Sequence, residues 1–197
     1  MNDLLNRIVS KIALLNPIHG KKLKKNLLNK SDTIYLKRVN AFLGKYNNYL
    51  ESQNKDIDFG INCYLKMTED FTYEHIRFLE TGEYSVKSFD DVEKRVYGNP
   101  EVMEYYINGV LLSQILWKHH YSMYAFFSDT FPKYSKYIHN YLEVGGGHGL
   151  FISEAISSMI DKNIMLMIML SVSLDSLLLN SVWTPKNTYS INIGITG

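Results

Sequence analysis

The residues most able to do chemistry form one short run, Glu143-Val144-Gly145-Gly146-Gly147-His148-Gly149. An apolar stretch, Tyr141 to Val144, leads into it, and helical spacing resumes from Leu150 to Met159, so the order is strand, glycine turn, helix. Glycines accept positive φ and let backbone approach a ligand with no Cβ in the way. The helix that follows offers unpaired N–H groups and a partial positive end. A nucleotide-like ligand or a carboxylate is the natural guest. The dinucleotide fingerprint G-x-G-x-x-G fails, because its closing glycine would fall on Leu150 counted from Gly145 and on Ile152 counted from Gly147. The spacing acidic-x-G-x-G-x-G is met in full by Glu143, Gly145, Gly147 and Gly149. A turn that binds nothing is the competing reading, but interior glycines cost roughly 0.5–1 kcal/mol each, which a plain turn does not require.

This run resembles motif I of the class I S-adenosylmethionine-dependent methyltransferases. The resemblance implies S-adenosyl-L-methionine as cofactor, with the backbone of Gly145, Gly146, Gly147 and Gly149 against its methionine part and Glu143 near its amino group. It also implies a carboxylate ending a second strand and holding the ribose hydroxyls, about 20 residues beyond the glycines as in dinucleotide folds. That neighbourhood, Met167 to Leu170, has no carboxylate, and Asp175 is the nearest later candidate. Relatives with a helical N-terminal domain often carry substrate-facing groups on a long helix just before motif I. The segment Glu101 to Phe127 lies there and holds Trp117, His119, His120, Tyr121 and Tyr124. His120 is then the candidate general base toward a hydroxyl acceptor, and Trp117 and Tyr124 are candidate substrate contacts. Core packing is the competing reading for each of these aromatics. No metal is expected, because adjacent histidines diverge on a helix and no carboxylate joins them at ligand spacing.

The elements that must position these groups are mostly helical. Residues 2–15 predict an amphipathic helix, with Asn16-Pro17 and Gly20 as breakers. Ser31-Asp32 can cap a second helix toward Leu50, and Asp56 to Gly60 reads as a loop. A third helix runs from about Ile61 to Glu80 and ends at Thr81-Gly82, and Ser88 can cap a short one. The longest signal, Glu101 to Phe127, closes at Phe131-Pro132.

Composition sets the outer limits. The chain has 197 residues, 46% hydrophobic and 13% aromatic, enough for a sizeable core and unlike a disordered chain. Net charge is +1, and no basic stripe flanks the glycine turn, which favours a small-molecule substrate over nucleic acid. The first thirty residues are nonetheless basic, with Lys21, Lys22, Lys24, Lys25 and Lys30 together, which reads as a solvated face. The single cysteine, Cys63, can form neither an internal disulfide nor a cysteine zinc site, and this favours a cytoplasmic location. Ile164 to Val182 starts apolar but then takes in Ser171, Ser173, Asp175 and Asn180, so no membrane span is expected.

These readings combine into an α/β fold by parentage: a helical N-terminal domain over 1–135, substrate-capping or dimerising, then a partial Rossmann-like methyltransferase sheet over 136–197. In that sheet Ile164 to Leu170 is expected to lie parallel beside Tyr141–Val144. Only 48 residues follow Gly149, room for about one more strand–helix unit of roughly 30 residues, so an incomplete catalytic domain is expected. The alternative expectation is a non-catalytic helical interaction or homodimerisation module carrying a remnant glycine turn.

Overall fold

The computed structural model describes residues 3–28, 32–144, 147–159, 163–167 and 191–194. Helices make up 81% of the part running to Met159, which holds one strand and no sheet. The helices are α1 (Asp3–Leu15), α2 (Pro17–Leu23), α3 (Thr33–Ser52), α4 (Ile57–Thr81), α5 (Phe89–Val92), α6 (Pro100–Leu116), α7 (Lys118–Ser135) and α8 (Leu150–Ser158). Single π-helical turns extend α2 and α5. Side-chain caps start several of them: Asp32 accepts from the Tyr35 amide, Asp56 from Phe59 and Ser88 from Asp91. Asn16 and Pro17, expected to break the chain, instead open α2, with Asn16 as cap and Pro17 in the first turn, where a missing N–H costs nothing. Asp56 to Gly60, expected as a loop, opens α4 in the same way.

Among the described residues the hydrophobic core cluster is built from helices. Leu5, Ile8 and Ile12 of α1 meet Val39, Phe42, Leu43 and Tyr46 of α3, Ile61, Tyr64 and Met67 of α4, and Leu111, Leu112 and Ile115 of α6. Helix α6 is buried on nearly every side. Its polar groups are paired locally: Tyr46 donates to Asn108 Oδ1 at 2.8 Å, and Asn108 Nδ2 donates to the Glu104 carbonyl at 2.8 Å. That satisfies the requirement that buried polar atoms find partners.

The α/β expectation with a partial Rossmann-like methyltransferase sheet is corrected to a helical fold. The physical reason lies in strand β1 (Asn140–Val144). A parallel sheet of that family is buried on both faces, whereas no described β1 side chain is buried and Leu142 is 54% exposed. Two further short strands, β2 (Asn163–Met167) and β3 (Ile191–Gly194), continue parallel in the order β1-β2-β3. Ile164–Met167 does pair with Tyr141–Val144, Tyr141 opposite Ile164, while 168–170 lie outside the described residues. These few residues add no described side chain to the core. Among the described residues no helix is long and apolar enough to cross a membrane.

The long helix expected over Glu101–Phe127 is two helices. Trp117 adopts an extended conformation (φ −104°, ψ 126°) and ends α6 while starting α7. Its amide still donates to Ser113 O and its carbonyl accepts from the Tyr121 amide, each at 2.9 Å, so both ladders close on this one residue. Helix α7 then passes through Pro132 to Ser135. A proline in a last turn forfeits only one ladder bond near the end.

Candidate functional site

The glycine turn joins β1 to α8. Gly145 and Gly146 lie outside the described residues. Gly147 (φ 38°) and Gly149 (φ 71°) both occupy the left-handed region, and Gly149 precedes the first residue of α8. Between them His148 turns back, so that its Nδ1 accepts the Leu150 amide at 3.2 Å. That bond caps the helix start and fixes the tautomer: neutral His148 carries its proton on Nε2. Burial, and secondarily the nearby His120, pull its pKa down to about 4. Glu143, half-buried at the end of β1, accepts the Tyr141 hydroxyl at 2.8 Å. Burial raises its pKa, and the tyrosine bond opposes that rise.

His120 stands in the first turn of α7. The extended Trp117 swings it back over α6, where its Nδ1 lies 2.6 Å from Ser113 Oγ. The Ser113 hydroxyl hydrogen is taken by the Val110 carbonyl at 2.6 Å. Serine has one hydrogen to give, so His120 Nδ1 is the donor and His120 Nε2 keeps a free lone pair. Burial, then His119, lower the His120 pKa, which favours this neutral, basic form. Trp117 packs on both histidines, with ring centroids 4.9 Å from His120 and 5.7 Å from His119.

His120, His148 and Trp117 line one cavity of about 410 Å³, together with Phe71, Tyr106 and Phe151 among others. In these tautomers the two Nε2 atoms differ in polarity, a lone pair on His120 and an N–H on His148. Of the residues expected at a site, the structure thus brings His120 and Trp117 to the turn. Glu143 and Tyr124 are not in this lining. Tyr124 is packed in the core, 5% exposed and edge-on to Phe42. Asp175 falls outside the described residues. Among the described residues no three His, Cys, Asp or Glu side chains stand close enough to share a metal ion.

Sequence reasoning missed His148 and Ser113. His148 occupies a variable position of the glycine spacing, which carries no role by itself. Ser113 lies seven residues before His120, too far for the usual helical pairing at three or four, and only the break at Trp117 closes that gap. The chain, compared with models of known families, with curated proteins and with solved structures, matches none of them.

Proposed function

We propose that the chain binds S-adenosyl-L-methionine at the glycine turn and methylates a hydroxyl of a small-molecule acceptor held in the His120 cavity. One observation carries this reading. His148, part of the turn, and His120, on the helix before it, line the same cavity with complementary hydrogen-bonding polarity. One further feature supports it: two described glycines hold left-handed backbone just ahead of a helix, a conformation in which other residues are strained.

The cofactor, when bound, supplies a methyl group on a positively charged sulfur. The chain's own part is positioning and proton handling. His148 Nε2–H orients the acceptor oxygen. His120 Nε2 would accept the acceptor hydroxyl's proton, and Ser113 holds the ring in the tautomer that leaves that nitrogen free. Phe71, Tyr106 and Phe151 supply an apolar lining beside the two imidazoles. Glu143 is available to the cofactor's ammonium group, with Tyr141 holding the carboxylate in place. We assign this activity to the cytoplasm, where a lone buried thiol such as Cys63 needs no partner.

The test is a calorimetric titration with S-adenosylhomocysteine. Wild type is expected to bind, about ten- to a hundredfold more weakly than a site with a charged ribose anchor. Gly147→Val, a branched residue at φ 38°, is expected to abolish that binding while circular dichroism shows the helices intact. Absence of any wild-type binding removes the reading, and binding indifferent to Gly147→Val moves the site elsewhere.

A second reading, a helical interaction or dimerisation module, has its own observation. Large apolar side chains stand exposed on and after the second half of α4, among them Leu79 at 70% and Phe89 at 68%. A dimer by light scattering that Leu79→Lys dissociates would favour it.

A further inference from the structure

Trp117 also walls a second cavity, of about 580 Å³, between α2, α4 and the start of α7. Its size falls among small-molecule pockets. The ionisable side chains around it are all basic. Lys22 and Lys118 stand at it with His19, His75 and His119, and no carboxylate is among the described residues that line it.

Elsewhere on this protein lysines near acids pair with them: Lys11 with Asp58, Lys55 with Glu104, Lys87 with Glu83. Lys22 and Lys118 make no ion pair among the described residues. Lys22 is close enough to His19 to add to the burial that lowers the His19 pKa, so that imidazole is held neutral and the lysine keeps its charge without an anion beside it among the described residues. The floor is apolar. Leu23 and Leu116 are buried there, and the Phe71 and Trp117 rings meet at 6.4 Å. Trp117 Nε1 is already engaged by the Tyr64 hydroxyl at 2.7 Å, which fixes the indole as a wall with no polar edge to offer. Two uncompensated point charges above aromatic walls attract an anion that carries an apolar body. Two lysines also match the nearly double negative charge of a phosphate monoester better than a single carboxylate.

We propose that this cavity binds a small phosphate monoester with an aromatic or apolar body, its head held by Lys22 and Lys118 and its body against Trp117 and Phe71. The proposal does not depend on methyl transfer at the neighbouring cavity.

The probe is 1-naphthyl phosphate, followed by calorimetry, with 1-naphthol as the body alone, inorganic phosphate as the head alone and 1-naphthoate as the carboxylate analogue. The ester is expected to bind at least about tenfold more tightly than each of the three. Lys22→Gln and Lys118→Gln should each weaken it about tenfold, leave 1-naphthol unchanged and flatten its salt dependence. Both lysines are exposed, and unchanged circular dichroism and melting would confirm the fold. Met123→Ala, an exposed residue that lines the neighbouring cavity and not this one, serves as the control and should bind the ester as wild type does. Equal binding of ester and naphthol, indifference to both lysine changes, or loss of binding in Met123→Ala would each overturn the proposal. Equal binding of naphthoate would overturn the choice of phosphate. S-adenosylhomocysteine binding is read separately, so either proposal can fail while the other stands.

Discussion

Replacing His148 with Gln removes an imidazole whose pKa is held at about 4 by burial and by His120, against an ordinary value of 6.5. Because the folded value lies below the unfolded one, the unfolded chain takes the proton first as pH falls. The stability owed to the neutral ring is complete above about pH 6.5 and drains away toward pH 4. Linkage between those two values makes the folded state worse off by about 2 kcal/mol at pH 5 than at pH 7.5. The assay is urea unfolding of wild type and His148→Gln at fixed pH values across that interval. Both proteins will lose stability on acidification, because burial also lowers the pKa of His19 and His120. The variant retains those two groups, and its amide oxygen can still accept the Leu150 N–H. The gap in unfolding free energy between wild type and variant should therefore shrink by about 2 kcal/mol from pH 7.5 to pH 5. A gap that stays constant would show that His148 titrates normally, and the buried, helix-capping ring would be refuted.

Tyr64→Phe strips the hydroxyl that accepts Trp117 Nε1–H and lies 2.7 Å from His19 Nε2. A destabilisation of about 1–3 kcal/mol is expected from the groups left unpaired, measured by urea unfolding. Cys63 should be unreactive toward a thiol-specific disulfide reagent at pH 8 in the folded protein and react at once in denaturant. Burial, with Glu104 adding and Lys55 opposing, pushes its thiol up to about 12, so fast labelling of the native protein would contradict this packing.

Much of the helical framework was legible because capping side chains mark helix starts chemically. Asp32 and Ser88 announce α3 and α5, and Thr81-Gly82 closes α4 with Gly82 in the left-handed region. Asn16 and Asp56 misled because a cap and a turn use the same side-chain acceptor, and only the residues packed beyond decide between them. The division of Glu101–Phe127 was invisible for another reason. One extended residue that keeps a ladder bond on each side leaves the apolar spacing undisturbed. The fold class was misjudged because a glycine turn reports local backbone geometry and says nothing of which elements supply the buried surface. Gly147, Gly149, His120 and Trp117 of the candidate site stood out by type and spacing. The rest depends on a bend of the chain that brings Ser113 to His120, and on the backward turn of His148.

The extended residue at Trp117 also interrupts cooperativity. Helical order propagates through consecutive ladder bonds, and each new start must nucleate afresh. The first amides of α7 have no preceding turn to bond to, so α7 forms a unit separate from α6. Fluctuations that unwind the start of α7 can therefore stop at Trp117, whose indole stays tethered to Tyr64 on α4. In native-state hydrogen exchange the amides of Tyr121 to Tyr124 would open at lower free energy than those of Leu111 to Ile115, which exchange only with the whole core. His120 rides on the looser of the two units and Ser113 on the tighter, so the bond between them measures, moment by moment, whether the start of α7 is closed.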